Sequence, residues 1–237
     1  MRLGIDFGTT HTVAALVDRG NFPVAPLGEH DVCPSLAAAH VDGRIVYGRE
    51  AAVITAAHEP GWQILRSMKR LLHGAGPHTE VELAGRAFLL RDLCAGFLSH
   101  LREVISKQIG RSSKEELQAA ISVPANASSG QRLLTVDAFR AAGFDVVRLL
   151  NEPSAAAREY AHRQKRTLTG LREHVLIYDL GGGTFDASVL RLDDDGGEVV
   201  GSAGVSRLGG DDFDEVICQL ALEKAGLEAN VAPPVFR

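Results

Sequence analysis

The chain has 237 residues, 45% of them hydrophobic and 23% charged, a composition that supports a sizeable core in one or two domains. Its 25 basic and 30 acidic side chains leave a net charge of −5 and aromatics make up only 5%, which argues against a general nucleic-acid binder built on phosphate neutralisation and base stacking. No apolar run reaches the roughly 18 residues of a membrane-spanning helix, the Asp6 and Gly8 of the N-terminus fit no secretory leader, and three scattered cysteines (Cys33, Cys94, Cys218) make neither a disulfide frame nor a zinc knuckle and point to a reducing cytoplasm.

In chain order, the first predicted element is a strand over residues 3–7. A tight Gly8-Thr9-Thr10 turn and a second apolar run over 12–17 complete a hairpin. A third strand is predicted at 44–47, after the Asp42-Gly43 turn. From 91 to 109 the period changes: Leu93, Phe97, Leu98, Leu101, Val104, Ile105 and Ile109 recur at helical spacing, with Gly110 as the stop. Residues 119–123 read as a buried strand ended by Pro124. Ser128 or Ser129 can cap a helix reaching Ala142, with Gly143 just beyond it. Another strand follows at 145–150, then a helix capped by Asn151 with Pro153 in its first turn. Residues 174–179 and 185–192 are strands around a Gly181-Gly182-Gly183-Thr184 turn, 193–197 turn the chain into a strand at 198–200, and 211–225 read as a helix. The alternation of helix and strand predicts an α/β protein. A polar, basic stretch at 165–171 marks the boundary expected between its halves.

An internal repeat points to chemistry. Leu3-Gly4-Ile5-Asp6-Phe7-Gly8-Thr9-Thr10 and Leu176-Ile177-Tyr178-Asp179-Leu180-Gly181-Gly182-Gly183-Thr184 share one plan: apolar strand, aspartate, apolar residue, glycine turn, threonine, strand. Glycines let backbone N–H groups approach an anion and permit positive φ, and threonine hydroxyls add donors. A carboxylate at the strand end suits a hydrated Mg²⁺ shared with phosphates. Two such loops facing each other would grip a polyphosphate from both sides. A P-loop is excluded because no Gly-Lys pair occurs, and a dinucleotide fold because a strand rather than a helix follows the second glycine turn.

Five motifs in order resemble the actin-like ATPase superfamily and, within it, the seventy-kilodalton heat-shock (DnaK-type) chaperones. The first glycine turn is similar to the family's first phosphate loop. Ile121-Ser122-Val123-Pro124-Ala125 with Gln131-Arg132 resembles its segment between the lobes, and Asn151-Glu152-Pro153-Ser154-Ala155-Ala156-Ala157 its connecting helix. Asp179-Leu180-Gly181-Gly182-Gly183-Thr184-Phe185-Asp186 resembles the second phosphate loop, and Leu208-Gly209-Gly210-Asp211-Asp212-Phe213-Asp214 a later signature.

The resemblance implies an actin-like ATPase fold with ribonuclease H-like lobes, the first over residues 1–170 and the start of the second over 171–237. It implies ATP or ADP bound with Mg²⁺ between them. Gly8, Thr9, Thr10 and His11 would line one side of the phosphates, and Gly181, Gly182, Gly183 and Thr184 the other. Asp6 and Asp179 would hold the metal through water and order the attacking water, with Glu152 in the same polar shell and Thr184 near the γ-phosphate. Pro124 and Arg132 match positions that couple nucleotide state to peptide release. Implied partners are extended or unfolded peptide clients, bound by a domain outside these residues, a J-domain co-chaperone and a nucleotide-exchange factor, with no nucleic acid and no membrane.

Four departures temper this. The resemblance places Ala52, in Gly48-Arg49-Glu50-Ala51-Ala52, where the family carries a lysine aimed at the γ-phosphate. Losing such a donor costs roughly 3–4 kcal/mol of transition-state stabilisation, so binding is expected to outlast fast turnover unless Arg49, Lys69 or Arg70 substitutes. His11 stands where polar or aromatic residues are usual, and Asn126-Ala127 replaces an aromatic pair. Finally, the family's adenine-pocket glycine motif lies outside these residues, so an apolar face near Phe213, Val216, Ile217 and Phe236 is expected to be uncovered. The rival readings are a non-catalytic interaction module that has lost turnover and a small-molecule kinase on the same fold. His73 and His78, the Arg163–Arg166 run and the Asp193-Asp194-Asp195 turn are read as a loop, a solvated helix end and a hairpin turn rather than metal or nucleic-acid sites, and Cys94 as core.

Overall fold

The computed structural model describes residues 1–110, 115–164, 174–192, 198–205 and 207–227. Strands β1 (Arg2–Phe7) and β2 (His11–Leu16) form the expected antiparallel hairpin, with Leu3, Ile5 and Phe7 turned to the core by the two-residue pleat. A short β3 (Cys33–Pro34) continues this sheet along β2. The next stretch was almost silent in the sequence. It contains β4 (Ala37–His40), β5 (Ile45–Tyr47), α1 (Gly48–Ala57), β6 (Trp62–Leu65), the one-turn α2 (Met68–Leu71) and a hairpin of β7 (Glu80–Leu83) and β8 (Arg86–Leu89). Strands β5-β4-β6 form a small sheet of their own. On it, the Trp62 ring lies beside the His40 ring, centroids 5.0 Å apart, and under the Arg44 guanidinium at 5.3 Å.

Helix α3 (Leu90–Gln108) bears out the period read over 91–109. Leu93, Phe97, Leu98, Leu101 and Ile105 are fully buried, as is Cys94, while Val104 and Ile109 are only half covered. It is followed by β9 (Leu117–Val123), α4 (Ser129–Ala141), β10 (Phe144–Asn151) and α5 (Glu152–Gln164). Ser128 caps α4, its hydroxyl accepting from the Gln131 N–H at 3.2 Å, and Gly143 follows the helix with φ 86°. The five-stranded sheet runs β10-β9-β1-β2-β3, with β10, β9 and β1 parallel. Helices α3 and α4 pack together, and Phe7 stacks on Phe97 (5.7 Å) and meets Phe139 edge-on (6.4 Å) at the centre of the core.

Beyond α5, β11 (His174–Leu180), β12 (Phe185–Arg191) and β13 (Glu198–Val205) make a three-stranded antiparallel meander, and α6 (Gly210–Lys224) closes the described chain. Helix α5 touches strands of the five-stranded sheet and of the meander. The uncovered apolar face is present: Phe213, Val216 and Ile217 are exposed on α6, and Leu176 and Tyr178 on β11. Phe236, the 165–171 boundary and the 193–197 turn lie outside the described residues. No helix among the described residues is long and apolar enough to cross a membrane.

Candidate functional site

The two glycine turns meet. Gly181 N–H donates to the Thr184 carbonyl at 3.0 Å, closing the second turn. A Cβ on Gly182 would collide with the Thr10 hydroxyl, and one on Gly183 would lie 2.7 Å from the Thr9 methyl. The turn after β1 therefore faces the turn after β11 at the distance of side-chain contact. Neither Gly8 nor Gly181, Gly182 or Gly183 has a positive φ. The expectation that these glycines serve left-handed backbone is corrected: what the site requires at Gly8, Gly182 and Gly183 is space.

The carboxylates gather beneath the turns. Asp6, near the end of β1, accepts a hydrogen bond from Ser122 Oγ of β9 at 3.3 Å. Asp179 occupies the matching place near the end of β11. Glu152, the first residue of α5, accepts from Lys69 Nζ at 2.5 Å, and both side chains are largely covered. Burial pushes the Glu152 carboxyl upward, Lys69 holds it back, and the charges of Asp6 and Asp179 push it up further. Burial, then the charge of Asp6, raises Asp179. These mutual effects place Asp6, Asp179, Glu152 and Lys69 in one electrostatic cluster.

Lys69, one of the three cations named as substitutes for the lysine missing at Ala52, is brought to this cluster by the fold. It comes from α2, inside the stretch where the sequence gave no periodic signal. Ala52 instead lies on the wall of a cavity of about 450 Å³ that Thr9, Thr10, His11, Ser67 and Asp211 also line. Thr184 faces a narrower recess with Thr9, Lys69, Pro124 and Gln131. A further carboxylate escaped the site assignment. Asp186 on β12 is buried, its Oδ1 has no hydrogen-bond partner, and burial followed by the charge of Asp179 raises its pKa. The signal for it was available: Asp186 and Ser188 are polar residues at the inward positions of a strand.

Arg132 ties the loop after β9 to the end of β10. Its guanidinium donates to the carbonyls of Pro124, Ala125 and Ala127 and to Asn151 Oδ1 at 2.8 Å. Asn151, expected as a helix cap, thus directs its amide oxygen to Arg132, one residue before Glu152. The later signature folds onto the second turn: Asp211 N–H donates to the Gly182 carbonyl at 2.7 Å and Gly210 N–H to that of Gly181 at 3.1 Å. A Cβ on Gly209 would lie 2.6 Å from the Gly182 backbone.

Among the described residues, no three His, Cys, Asp or Glu side chains converge closely enough to hold a metal directly. Several carboxylates that raise one another's pKa around a single lysine suit a cation that keeps its own water shell. His73 joins no metal group, and Arg163 pairs with Glu159 one turn earlier on α5.

The sequence profile of the Hsp70 protein family matches residues 70–232. The chain is 38% identical over 259 aligned positions to the chaperone protein HscA homolog of Azotobacter vinelandii, an alignment that covers all of this chain and 40% of that relative. The chain therefore spans well under half of the relative's length. The α/β architecture fits an actin-like ATPase domain, and with the profile match extending from Arg70 in α2 to beyond α6, the chain belongs to the Hsp70 family.

Proposed function

We propose that this chain is the nucleotide-binding part of an Hsp70-type chaperone, binding Mg-ATP in the cleft between its two sheets and hydrolysing it slowly to drive peptide binding and release. Residues 1–170 would form the first lobe and 171–237 the start of the second. The observation that carries this reading is the contact of two glycine-threonine turns above a shared floor of Asp6, Asp179, Glu152 and Lys69.

Backbone N–H groups of Gly8, Thr9, Thr10 and His11 on one side, and of Gly182, Gly183 and Thr184 on the other, would hold the phosphate oxygens, while Gly181 lines the same side with its N–H closing the turn onto the Thr184 carbonyl. Asp6 and Asp179 would take hydrated Mg²⁺ through water, where the ion neutralises phosphate charge. Lys69, already desolvated and held by Glu152, supplies a fixed positive charge where negative charge spreads in phosphoryl transfer. Asp179 and Glu152, with raised proton affinity, are suited to orient a water and accept its hydrogen bonds. Arg132, gripping the Pro124 loop and Asn151, links this floor to the outer surface and would pass nucleotide state to a peptide-binding domain outside these residues. Peptide clients, a J-domain protein and an exchange factor are the proposed partners, in the cytoplasm, without nucleic acid or membrane. Lys69 in this cluster supports turnover over the reading of the chain as a non-catalytic module.

Calorimetry with Mg-ATP on the full-length protein tests the proposal. Binding should be measurable and should be abolished by Asp6→Ala and by Gly182→Asp. Absent binding, or binding indifferent to both changes, overturns it.

A further inference from the structure

Two contacts take no part in the reading above. Both join α2 to the first turn of α6, across more than half the chain. Ser67 Oγ donates to Asp211 Oδ2 at 2.5 Å, and Arg70 Nη2 donates to Asp212 Oδ1 at 2.5 Å. They bracket Lys69 on the α2 side. On the α6 side Asp211 is itself one of the two residues, with Gly210, whose N–H groups bond the carbonyls of Gly182 and Gly181.

Ser67 shows that the contact shapes the backbone. It sits at the N-cap of α2 with φ 56° and ψ 38°, a left-handed conformation that is unfavourable for a residue with a Cβ, and its hydroxyl makes no cap bond. It bonds across to Asp211 instead. Arg70 and Asp212 are mostly covered, at 17% and 27% side-chain exposure. Each also keeps one buried polar atom without a partner, Arg70 Nε and Asp212 Oδ2. A guanidinium and a carboxylate can join through two parallel bonds, and this pair uses one. Arg70 also lies against the glycine turn, its Cδ 3.3 Å from where a Cβ on Gly183 would be.

We infer that Arg70–Asp212, with Ser67–Asp211 beside it, is a latch between the two sheet-bearing halves that positions Lys69 and the second glycine turn relative to each other and slows nucleotide escape. Arg70 and Asp212 are positioning residues, acting through Lys69 and Gly182. The inference rests on the nucleotide reading for what the latch retains, but its closure is a property of the protein alone.

The test uses the full-length protein and two measurements. The first is release of a fluorescent Mg-ADP analogue from wild type, Arg70→Ala, Asp212→Asn, the double variant and the swap Arg70→Asp/Asp212→Arg. Each single change should speed release roughly 5- to 30-fold, as expected for coupled neighbours. The double variant should be no faster than the worse single, and the swap should recover part of the loss. The second is amide exchange without nucleotide. The N–H groups of Gly210 and Asp211 should exchange faster in both single variants while α3 is unchanged. Additive effects, or wild-type exchange and release rates in the single variants, overturn the latch. If wild type binds no nucleotide, the functional proposal fails while the exchange experiment still decides the latch. Arg70→Lys, which keeps the charge and loses the fork, should fall between wild type and Arg70→Ala and serves if the alanine variant does not fold.

Discussion

Lys69 Nζ lies 2.5 Å from Glu152 Oε1, joining α2 to the first residue of α5 at the floor of the cleft. Neither charge is freely solvated, so each is the other's main compensation. Truncating either leaves a covered, unpaired charge, which is far more disruptive than losing an exposed ion pair.

The first prediction concerns this pair. Lys69→Ala should lower single-turnover ATP hydrolysis by about 10²- to 10³-fold, the usual effect of removing one preorganised donor. Ala52→Lys should give no comparable gain, because the cleft already holds its cation. A large acceleration in Ala52→Lys, with Lys69→Ala near wild type, would restore the reading in which position 52 governs turnover.

A second prediction follows from the raised Asp179 and Glu152 carboxyls. Between the ordinary carboxyl pKa of about 4 and their raised folded values, the native state binds more protons than the unfolded chain. Stability without ligand should therefore fall as pH rises through that window and stay reduced above it. Asp179→Asn should remove part of this effect at neutral pH, raising the melting temperature by roughly 2–4 °C for about 1 kcal/mol. The same variant should lose the further rise that Mg-ADP gives the wild type. Melting curves from pH 4 to 8, with and without Mg-ADP, decide both halves.

Gly209→Ala is the third. Its Cβ would stand 2.6 Å from the backbone of Gly182, and backbone cannot swing aside as a flexible side chain can. The second turn must move, so Mg-ATP affinity should drop at least about tenfold, a loss of roughly 1.4 kcal/mol. The Phe7–Phe97–Phe139 core is remote from the change and should keep its near-ultraviolet circular dichroism.

Arg132→Ala supplies the fourth. The change removes every bond that the guanidinium makes to the Pro124 loop and to Asn151, and touches none of the proposed phosphate donors. Without peptide, Mg-ADP affinity should stay within about twofold, since Arg132 bonds none of the proposed phosphate donors. Stimulation of ATP turnover by an extended peptide should be lost. Retained stimulation, measured as steady-state phosphate release, refutes the coupling role.

The legible parts of the fold were those with long periodicity or capping chemistry. The apolar ridge from Leu93 to Ile105 announced α3, Ser128 and Gly143 bracketed α4, and the repeated aspartate-glycine-threonine plan announced both turns. Apart from the strand expected at 44–47 and found as β5, the stretch from Leu36 to Leu89 was opaque for a physical reason. Its strands are three or four residues long, too short for a two-residue alternation to stand out, and α1 starts at Gly48 behind Tyr47, an N-cap with no side-chain bond, and is rich in alanine. Lys69 sits on a single helical turn whose N-cap is left-handed. No local rule reveals such an element, because tertiary contacts with Glu152 and the first turn of α6 hold it in place. The lysine was therefore sought at Ala52, by motif spacing, when the fold delivers one from elsewhere.

Trp62 is the chain's single tryptophan, and it opens the strand that runs directly into α2. Its indole has a guanidinium over the ring and a tilted imidazole beside it, so its emission reports on their spacing. The molecule thus carries a native optical probe a few residues upstream of Lys69. A shift of that short helix on loading or emptying the cleft can be followed in real time by intrinsic emission, with no dye attached.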